Sequence, residues 1–497
     1  MNKVVETRST SGQFVTTTLR RDVPDLPIQL DRSIRNHGQQ VHAALRSAIV
    51  DGLLRPETKL PSSRALAEQL GVRRNAIVAA YEHLFSDGLI EARHGAGTYV
   101  AARLPARPAA TSPAPFRIAQ PKRRAFALGH TYADAALLGR LASNVRRRIA
   151  TASGDELGYG DPRGSEHLRT QIAQHLAANR GIRCDPSCVV IVSGTQHGIR
   201  LCADALLSPG DAIWMEDPGY YAARHTLEAV GMKLVPVPVD ASGIVVASGL
   251  RLNPAAKATY VTPSHQFPTG VTMSMARRVA LLDWARASKA WIIEDDYDSE
   301  FRFAGPPLTA LAGLGAERVI YVGTFTKTLF AGLRLAFLVL PPAVVERVVR
   351  ARAAHDRFPP RFMQDAVADL ISGGVLAAHV RRMRSRYREA RDVLASALEQ
   401  AAGGALRITV PTQGLHMLAL LPHGVPKDTA MRIRAAADVE TQLLSEMRIN
   451  RRGSDGFILG FSGHGIKELT AAAQRLGRAA KDYVGAADRK DHAQTKS

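Results

Sequence analysis

Cysteine is scarce in this chain: three in 497 residues, at Cys184, Cys188 and Cys202, odd in number and without a CxxC pair. That argues against a disulfide framework and fits a reducing cytoplasm. Long apolar runs are missing too, and none approaches the ~20 residues of a membrane span. The first residues, MNKVVETRSTSGQF, lack the apolar core of a signal peptide. No internal repeat is visible. Acidic residues are in deficit, 45 against 65 lysines and arginines, for a formal charge of +20. Such a balance favours a polyanionic partner, most simply nucleic acid. At this length one compact core is not expected, so two or more domains are.

What is present centres on Arg318 to Leu340, RVIYVGTFTKTLFAGLRLAFLVL. Val319 to Val322 reads as a buried strand that stops at Gly323. Thr324 and Thr326 then bracket a phenylalanine, Lys327 follows, and Arg334 opens a second apolar run. A lysine at a buried strand end is poorly solvated, so its pKa falls and its amine becomes a nucleophile able to form a Schiff base. Most lysines are simply exposed; the neighbouring hydroxyls and arginine, which suit a phosphate, set this one apart. A second short strand, Trp291 to Ile293, runs into Glu294-Asp295-Asp296-Tyr297-Asp298. A carboxylate at a strand end can bond a protonated ring nitrogen, as in a pyridinium cofactor. Tyr297, two residues on, falls on the same face of an extended chain. Alone, this acidic stretch would suit a metal or a solvated turn equally well.

The first hundred residues have their own pattern. Residues 1–38 read as a polar arm with one docked piece around Leu26 to Leu30. Residues 39–102 read as three helices and a hairpin. Val41, Leu45, Ala48 and Ile49 share one helical face. Ser62 caps a second helix with Leu66, Ala67 and Leu70 inward, and Gly71 makes the turn. A third helix turns Ile77, Tyr81 and Leu84 inward. Two strands around His94-Gly95-Ala96-Gly97 form a wing. Two short helices joined by a glycine turn are a helix-turn-helix, whose second helix can enter the major groove of DNA. The polar face carries Arg64, Arg73, Arg74, Asn75 and His94. Arginine suits phosphates and guanine, and asparagine suits adenine.

Residues 103–125 are a linker, with five prolines and six basic residues from Arg103 to Arg124. Residues 126–378 alternate strands and helices, which predicts a mainly parallel sheet covered on both faces. Its strand ends run into polar motifs: Ser193-Gly194-Thr195-Gln196, Glu216-Asp217-Pro218-Gly219-Tyr220, Pro263-Ser264-His265-Gln266, and the two stretches above. Ligands of open α/β sheets bind beyond such ends. Gly194 before a helix start makes an anion cradle. Residues 379–487 read as a small α+β unit, entered through a basic helix, His379 to Leu398, whose arginines read mostly as a solvated face. Residues 488–497 read as a disordered tail.

The motifs GTFTKTLFAGLRLAF and IIEDDYDSEFRF resemble those of fold-type I aminotransferases that use pyridoxal 5′-phosphate (PLP). Together with LPSSRALAEQLGV, YEHLFSDGLI and GAGTYV, which resemble the GntR winged helix, they are similar to the MocR-type regulators of the GntR family. The resemblance covers about Gln40 to Leu476. It implies that Lys327 bears the cofactor as a Schiff base, that Asp295 pairs with the pyridine nitrogen and that Tyr297 bonds the ring hydroxyl. Gly194, Thr195, Gln196, Thr324 and Arg334 would hold the phosphate, and Tyr220 would stack on the ring. Arg64, Arg73, Arg74, Asn75, His94 and Gly95 take the DNA-contacting places. A homodimer is implied, with an amine, an amino acid or PLP itself as effector. Arg451 and Arg452 are candidates for an effector carboxylate.

Three departures accompany this. Ala76 stands where the family commonly has a small hydroxyl residue. Phe267 stands where plain aminotransferases have an asparagine before Pro-Thr-Gly, a feature shared with the regulators that favours sensing over turnover. The stretch GHTYADAALLGRLASN lacks the family's Phe-Pro pair and tryptophan, which leaves the packing beside Gly158 to Gly164 open. A working aminotransferase fused to a DNA-binding head is the rival from the enzyme class.

Overall fold

The computed structural model describes residues 28, 30–32, 36–104, 124–306, 308–357, 360–426, 428–450 and 453–494, with side chains to 485. Most of the expected arm, most of the linker, and both Arg451 and Arg452 lie outside them. Contacts divide the chain into two units, Met1–Gln120 and Pro121–Ser497.

The first unit contains α1 (His37–Val50), α2 (Ser63–Leu70), α3 (Arg74–Ser86) and a hairpin of β1 (Ile90–Arg93) and β2 (Gly97–Val100). The Ser62 hydroxyl accepts the Ala65 N–H and starts α2; Gly71, at φ +64°, ends it in a left-handed turn that disfavours a side chain. Val41, Leu45, Ile49, Leu66, Ile77 and Leu84 are fully buried together. Each such side chain contributes about 1.5–3 kcal/mol. The Tyr81 hydroxyl donates to Pro61 O at 2.7 Å and ties α3 to the approach of α2. Ile28 and Leu30 pack on this core.

The second unit opens with α4 (Ala135–Ala150), α5 (Gly154–Leu157) and α6 (Glu166–Arg180). Then β3 (Val189–Val192), α7 (Thr195–Leu206), β4 (Ala212–Asp217), α8 (Tyr221–Ala229), β5 (Lys233–Asp240), β6 (Gly243–Ile244), α9 (Val246–Leu252) and β7 (Ala258–Val261) follow. Next are α10 (Met275–Ala287), β8 (Trp291–Asp296), α11 (Leu311–Leu314), β9 (Val319–Thr324) and β10 (Ala336–Val339). Strands β3 to β10 form one eight-stranded sheet, ordered β3-β10-β9-β8-β7-β4-β5-β6. Neighbours from β9 through β5 are parallel, while β10 runs against both β3 and β9. Strand β3 therefore ends on the same edge as β4, β7, β8 and β9, and that edge gathers the polar motifs.

Helices α12 (Val345–His355), α13 (Arg361–Ser372) and α14 (Val375–Ala402) lead to an antiparallel sheet of β11 (Arg407–Thr409), β12 (His416–Leu420), β13 (Gln442–Leu443) and β14 (Gly456–Gly460). Helices α15 (Thr429–Ala437) and α16 (Ile466–Gln494) complete the unit.

Four differences from expectation have local causes. Strand β8 continues through Asp296, because Asp295 and Asp296 still pair with Val322 and Gly323 of β9. Phe126 bridges Gly460, so the start of the expected large domain is stitched to the small sheet. On α14, Arg384, Arg388 and Arg391 donate to the carbonyls of Glu300, Phe303 and Pro411, where a solvated face was expected. The backbone of α16 is helical to Gln494, where a disordered tail was expected from residue 488.

Candidate functional site

A cavity of about 240 Å³ lies at the carboxyl edge of the large sheet. Gly194, Thr195, Gln196, Tyr220, Asp295, Tyr297, Thr324, Lys327 and Arg334 all line it. The structure thus brings together every residue expected at the cofactor.

Asp295 lies near the end of β8, where period-two alternation turns it and Tyr297 toward the cavity. Its Oδ2 accepts the Tyr260 hydroxyl at 2.5 Å. Its Oδ1 is buried with no partner. Burial pushes the carboxyl up to about 7, against the pull of Tyr260 and Lys327. An N–H donor entering the cavity would satisfy the orphan oxygen and restore its charge.

Lys327 follows β9. Burial draws its ammonium below the ordinary lysine range, while Asp298 and Asp295 oppose the fall. Gly129, at φ +83°, keeps its backbone close to the amine: a methyl group there would lie 3.4 Å from Lys327 Nζ.

Gly194 caps α7 at φ +146°, and a Cβ on it would come within 3.0 Å of Arg334 Nη2. The guanidinium therefore faces the first turn of α7, whose N–H groups have no partner within the helix. Arg334 holds a left-handed backbone, φ +51° and ψ +50°, at the end of a 3₁₀ turn. Thr326 N–H donates to Thr324 Oγ1 at 3.1 Å, which fixes the hydroxyl pair nearby. This is a donor set for a phosphate dianion.

Aromatic rings wall the remainder. Phe267 stands edge-on to Tyr220 at 5.6 Å and to Tyr297 at 6.3 Å. The Tyr297 hydroxyl donates to His265 O at 3.0 Å.

Sequence reasoning missed Gly129, Tyr260, His416 and Gln442, which also line the cavity. Tyr260 looks like core in an apolar strand, and His416 and Gln442 arrive from the small sheet. Burial holds the His416 imidazole down at about 3, so it is neutral.

In the first unit Arg64, Arg73, Arg74, Asn75, His94 and Gly95 are all exposed. Arg73 caps α3, and Arg74 and Asn75 make its first turn. Arg74 Nε lies 3.4 Å from Ser63 Oγ, which places the starts of α2 and α3 side by side. His94 and Gly95 form the hairpin turn.

Comparison with known proteins agrees with both halves. Residues 37–100 match the model of bacterial regulatory proteins of the gntR family, and residues 132–465 match that of aminotransferase class I and II. The chain is 35% identical to the probable rhizopine catabolism regulatory protein MocR of Rhizobium meliloti, over 91% of this chain and 95% of that one. It is 30% identical to the pyridoxine biosynthesis transcriptional regulator PdxR of Corynebacterium glutamicum, over 88% and 95%. Among solved structures, Pyrococcus horikoshii kynurenine aminotransferase, in complex with PMP, superposes with a TM-score of 0.64 at 26% identity, covering 69% of this chain and 87% of that one. The class I and II aminotransferase fold is a PLP fold. With a winged helix in one unit and that fold in the other, the chain belongs to the MocR-type regulators of the GntR family.

Proposed function

We propose that this regulator holds PLP at Lys327 and responds to a small amine, an amino acid or PLP itself by changing how it grips DNA. The observation that carries it is the unpartnered Asp295 Oδ1, buried at the wall of the cavity that also contains Lys327 and the Arg334–α7 anion cradle. PLP, when bound, supplies a carbonyl that amines attack and a ring that draws electrons from the attached group. Asp295 would pair with the ring N–H, and Arg334, Thr324 and the α7 amides of Thr195 and Gln196 would seat the phosphate. Tyr220 would cover the ring, and Tyr297, whose hydroxyl donates to His265 O, would stand beside the ring oxygen. The lowered pKa of Lys327 keeps more of its amine in the nucleophilic form at a given pH.

Phe267 presents a ring where a hydrogen-bonding side chain would assist turnover, which supports sensing. The relatives' names span rhizopine catabolism and pyridoxine biosynthesis, so the effector class is drawn broadly. Exposed apolar side chains at Ile149, Leu157 and Tyr159, the last 82% exposed, support a homodimer. Two copies would present two winged helices to one operator. Arg64, Arg73, Arg74, Asn75 and His94, with the Gly95 turn, would meet the duplex. Three free cysteines, and no helix among the described residues long and apolar enough to cross a membrane, support a cytoplasmic site.

The test is the visible spectrum of the purified protein with added PLP, beside Lys327→Ala. A yellow species that borohydride bleaches, absent in the variant, is expected. Its absence from the parent protein sinks the cofactor assignment and leaves only the DNA-binding half. The second reading, a working aminotransferase, is favoured by the complete Lys327–Asp295–Tyr297 set. Release of keto acid over many cycles with an amino acid would establish it.

A further inference from the structure

Behind the cofactor cavity lies another of about 380 Å³. The two share a wall. Along β9 and its continuation, Thr326 and Lys327 face the first cavity, whereas Gly323, Phe325 and Thr328 face the second, and Thr324 borders both. The end of β8 and the residues after it divide likewise: Asp295 and Tyr297 look into the first, Asp296 and Ser299 into the second. The segment that carries Lys327 therefore separates the two cavities.

The rear cavity has an unbalanced set of charges. Asp296 is spent on Arg180 Nε at 2.8 Å and on the Tyr321 hydroxyl at 2.5 Å. Three further guanidinium groups line it without a carboxylate partner among the described residues. Arg302 donates from Nη1 to the Gln413 side chain, and its Nε is buried with no partner. Arg384 reaches only the Glu300 carbonyl. Arg381 is exposed at the rim and has no ion pair. The remaining acid, Glu300, is pushed up to about 8 by burial and by Asp296, so at neutral pH it offers a proton and cancels no charge. Leu176, Phe337 and Val380 give the cavity an apolar floor. One buried donor without an acceptor, Arg302 Nε, and two more arginines without a carboxylate, beside an apolar surface, suit a ligand with an anionic head and an apolar body.

We propose that this rear cavity is a second ligand site, taking a small organic anion, a carboxylate or phosphate ester, whose body packs against the back of the Lys327 segment. Such a ligand touches Phe325 and Thr328, and any shift of either moves Thr324, Thr326 and Lys327 on the other side. The regulator then has two inputs that act through one strand end, and each alters the affinity for the other. Apart from Thr324, which borders both, the site is built from residues outside the cofactor cavity, and it stands whether or not PLP binds at Lys327.

The test is a calorimetric titration of the full-length protein, pre-saturated with PLP, using benzoate in one arm and phenyl phosphate in the other. Saturable binding of one equivalent per chain is expected in at least one arm, and the arm that binds identifies the head group. Binding should disappear in Arg302→Gln/Arg384→Gln and survive in Arg334→Gln. Arg381→Glu, at an exposed position with no partner, serves where the double variant fails to fold, and it should weaken the same binding. Saturable binding in neither arm overturns the proposal, as does binding lost with Arg334→Gln but kept in the double variant, since the anion would then occupy the front cavity. For coupling, a saturating concentration of the bound anion should change the affinity for PLP by about fivefold or more. An unchanged affinity refutes the shared-wall link.

Discussion

His265 Nδ1 stands 2.9 Å from Asp298 Oδ2, each side chain only 1% exposed, and the same nitrogen lies 3.0 Å from the Tyr297 hydroxyl. His265, Asp298 and His416 offer three ligand atoms within 4.8 Å of one another, a spacing that could hold a metal ion. Here the histidine nitrogen and the carboxylate oxygen are spent on each other, so they form a brace behind Tyr297. Asp298 is also the first of the two carboxylates that hold the proton on Lys327. Asp298→Asn should therefore lower the Lys327 pKa further. The rate of PLP capture as a function of pH reports this, because only the neutral amine reacts, and its midpoint should move to lower pH. A midpoint that stays or rises contradicts the brace. Asp298→Ala should cost about 1.5–3 kcal/mol of stability by urea unfolding, as expected for a lost bond to a charged group.

Four carboxyls have raised proton affinity: Glu216, Glu294 and Asp295 at about 7 and Glu300 at about 8, each chiefly through burial. Unfolded, they titrate at about 4. Between those values the folded chain binds more protons than the unfolded one. The stability this contributes is complete below about pH 4 and is lost as pH rises through about 7 to 8. Cofactor-free protein should accordingly unfold at lower urea concentration as pH increases across that window. Asp295→Asn should flatten the slope, and an identical slope in the variant would remove Asp295 from the account. Asp134 and Asp369, lowered to about 2, act in the opposite sense on the acid side, and His416, held down at about 3, does so up to about pH 6.5, so the fall is steepest above that value.

Gly194→Ala places a methyl group 3.0 Å from Arg334 Nη2 at a backbone angle that side chains rarely adopt. The guanidinium must then move away from the start of α7. PLP should bind about tenfold more weakly, a change of about 1.4 kcal/mol, by titration of its absorbance. Equal affinity would show that Arg334 and α7 do not act as one cradle.

On the DNA side, Arg74→Ala should weaken binding to all duplexes and reduce the slope of log affinity against log salt by about 1, the mark of one lost phosphate contact. Asn75→Ala should instead relax preference at one base pair, by about 1–3 kcal/mol. Quantitative gel shifts over a range of salt separate the two. A variant of Arg74 with an unchanged salt slope would take it off the phosphate backbone.

Much of this site was legible in the chain because each central strand is a short apolar run that breaks at a polar motif. The runs Val319 to Val322 and Trp291 to Ile293 begin at the first residues of β9 and β8. The Gly194, Asp295 and Lys327 neighbourhoods were found from those breaks. Tyr260 was not, because a tyrosine inside an apolar strand has the same pattern whether it bonds a core carbonyl or a catalytic-type carboxylate. His416 and Gln442 were hidden by distance, since only the closure of the small sheet brings them to the cavity. The rear cavity was invisible for another reason. The arginines of α14 look like a solvated helix face until Glu300 and Phe303 are folded against them.

Gly323 of β9 pairs with Phe337 of β10, and a methyl group on the glycine would overlap the phenyl ring. Bare backbone thus sets the height at which the chain leaves the sheet on its way to Lys327. For anyone retuning this regulator to a new effector, the pitch of the lysine is effectively a frozen dimension. Libraries that vary Phe267, Gln442 or His416 can reshape the chamber, while changes at Gly323 would dislodge its anchor. Divergence in what such a protein detects is then expected to accumulate on the walls, with the floor inherited intact.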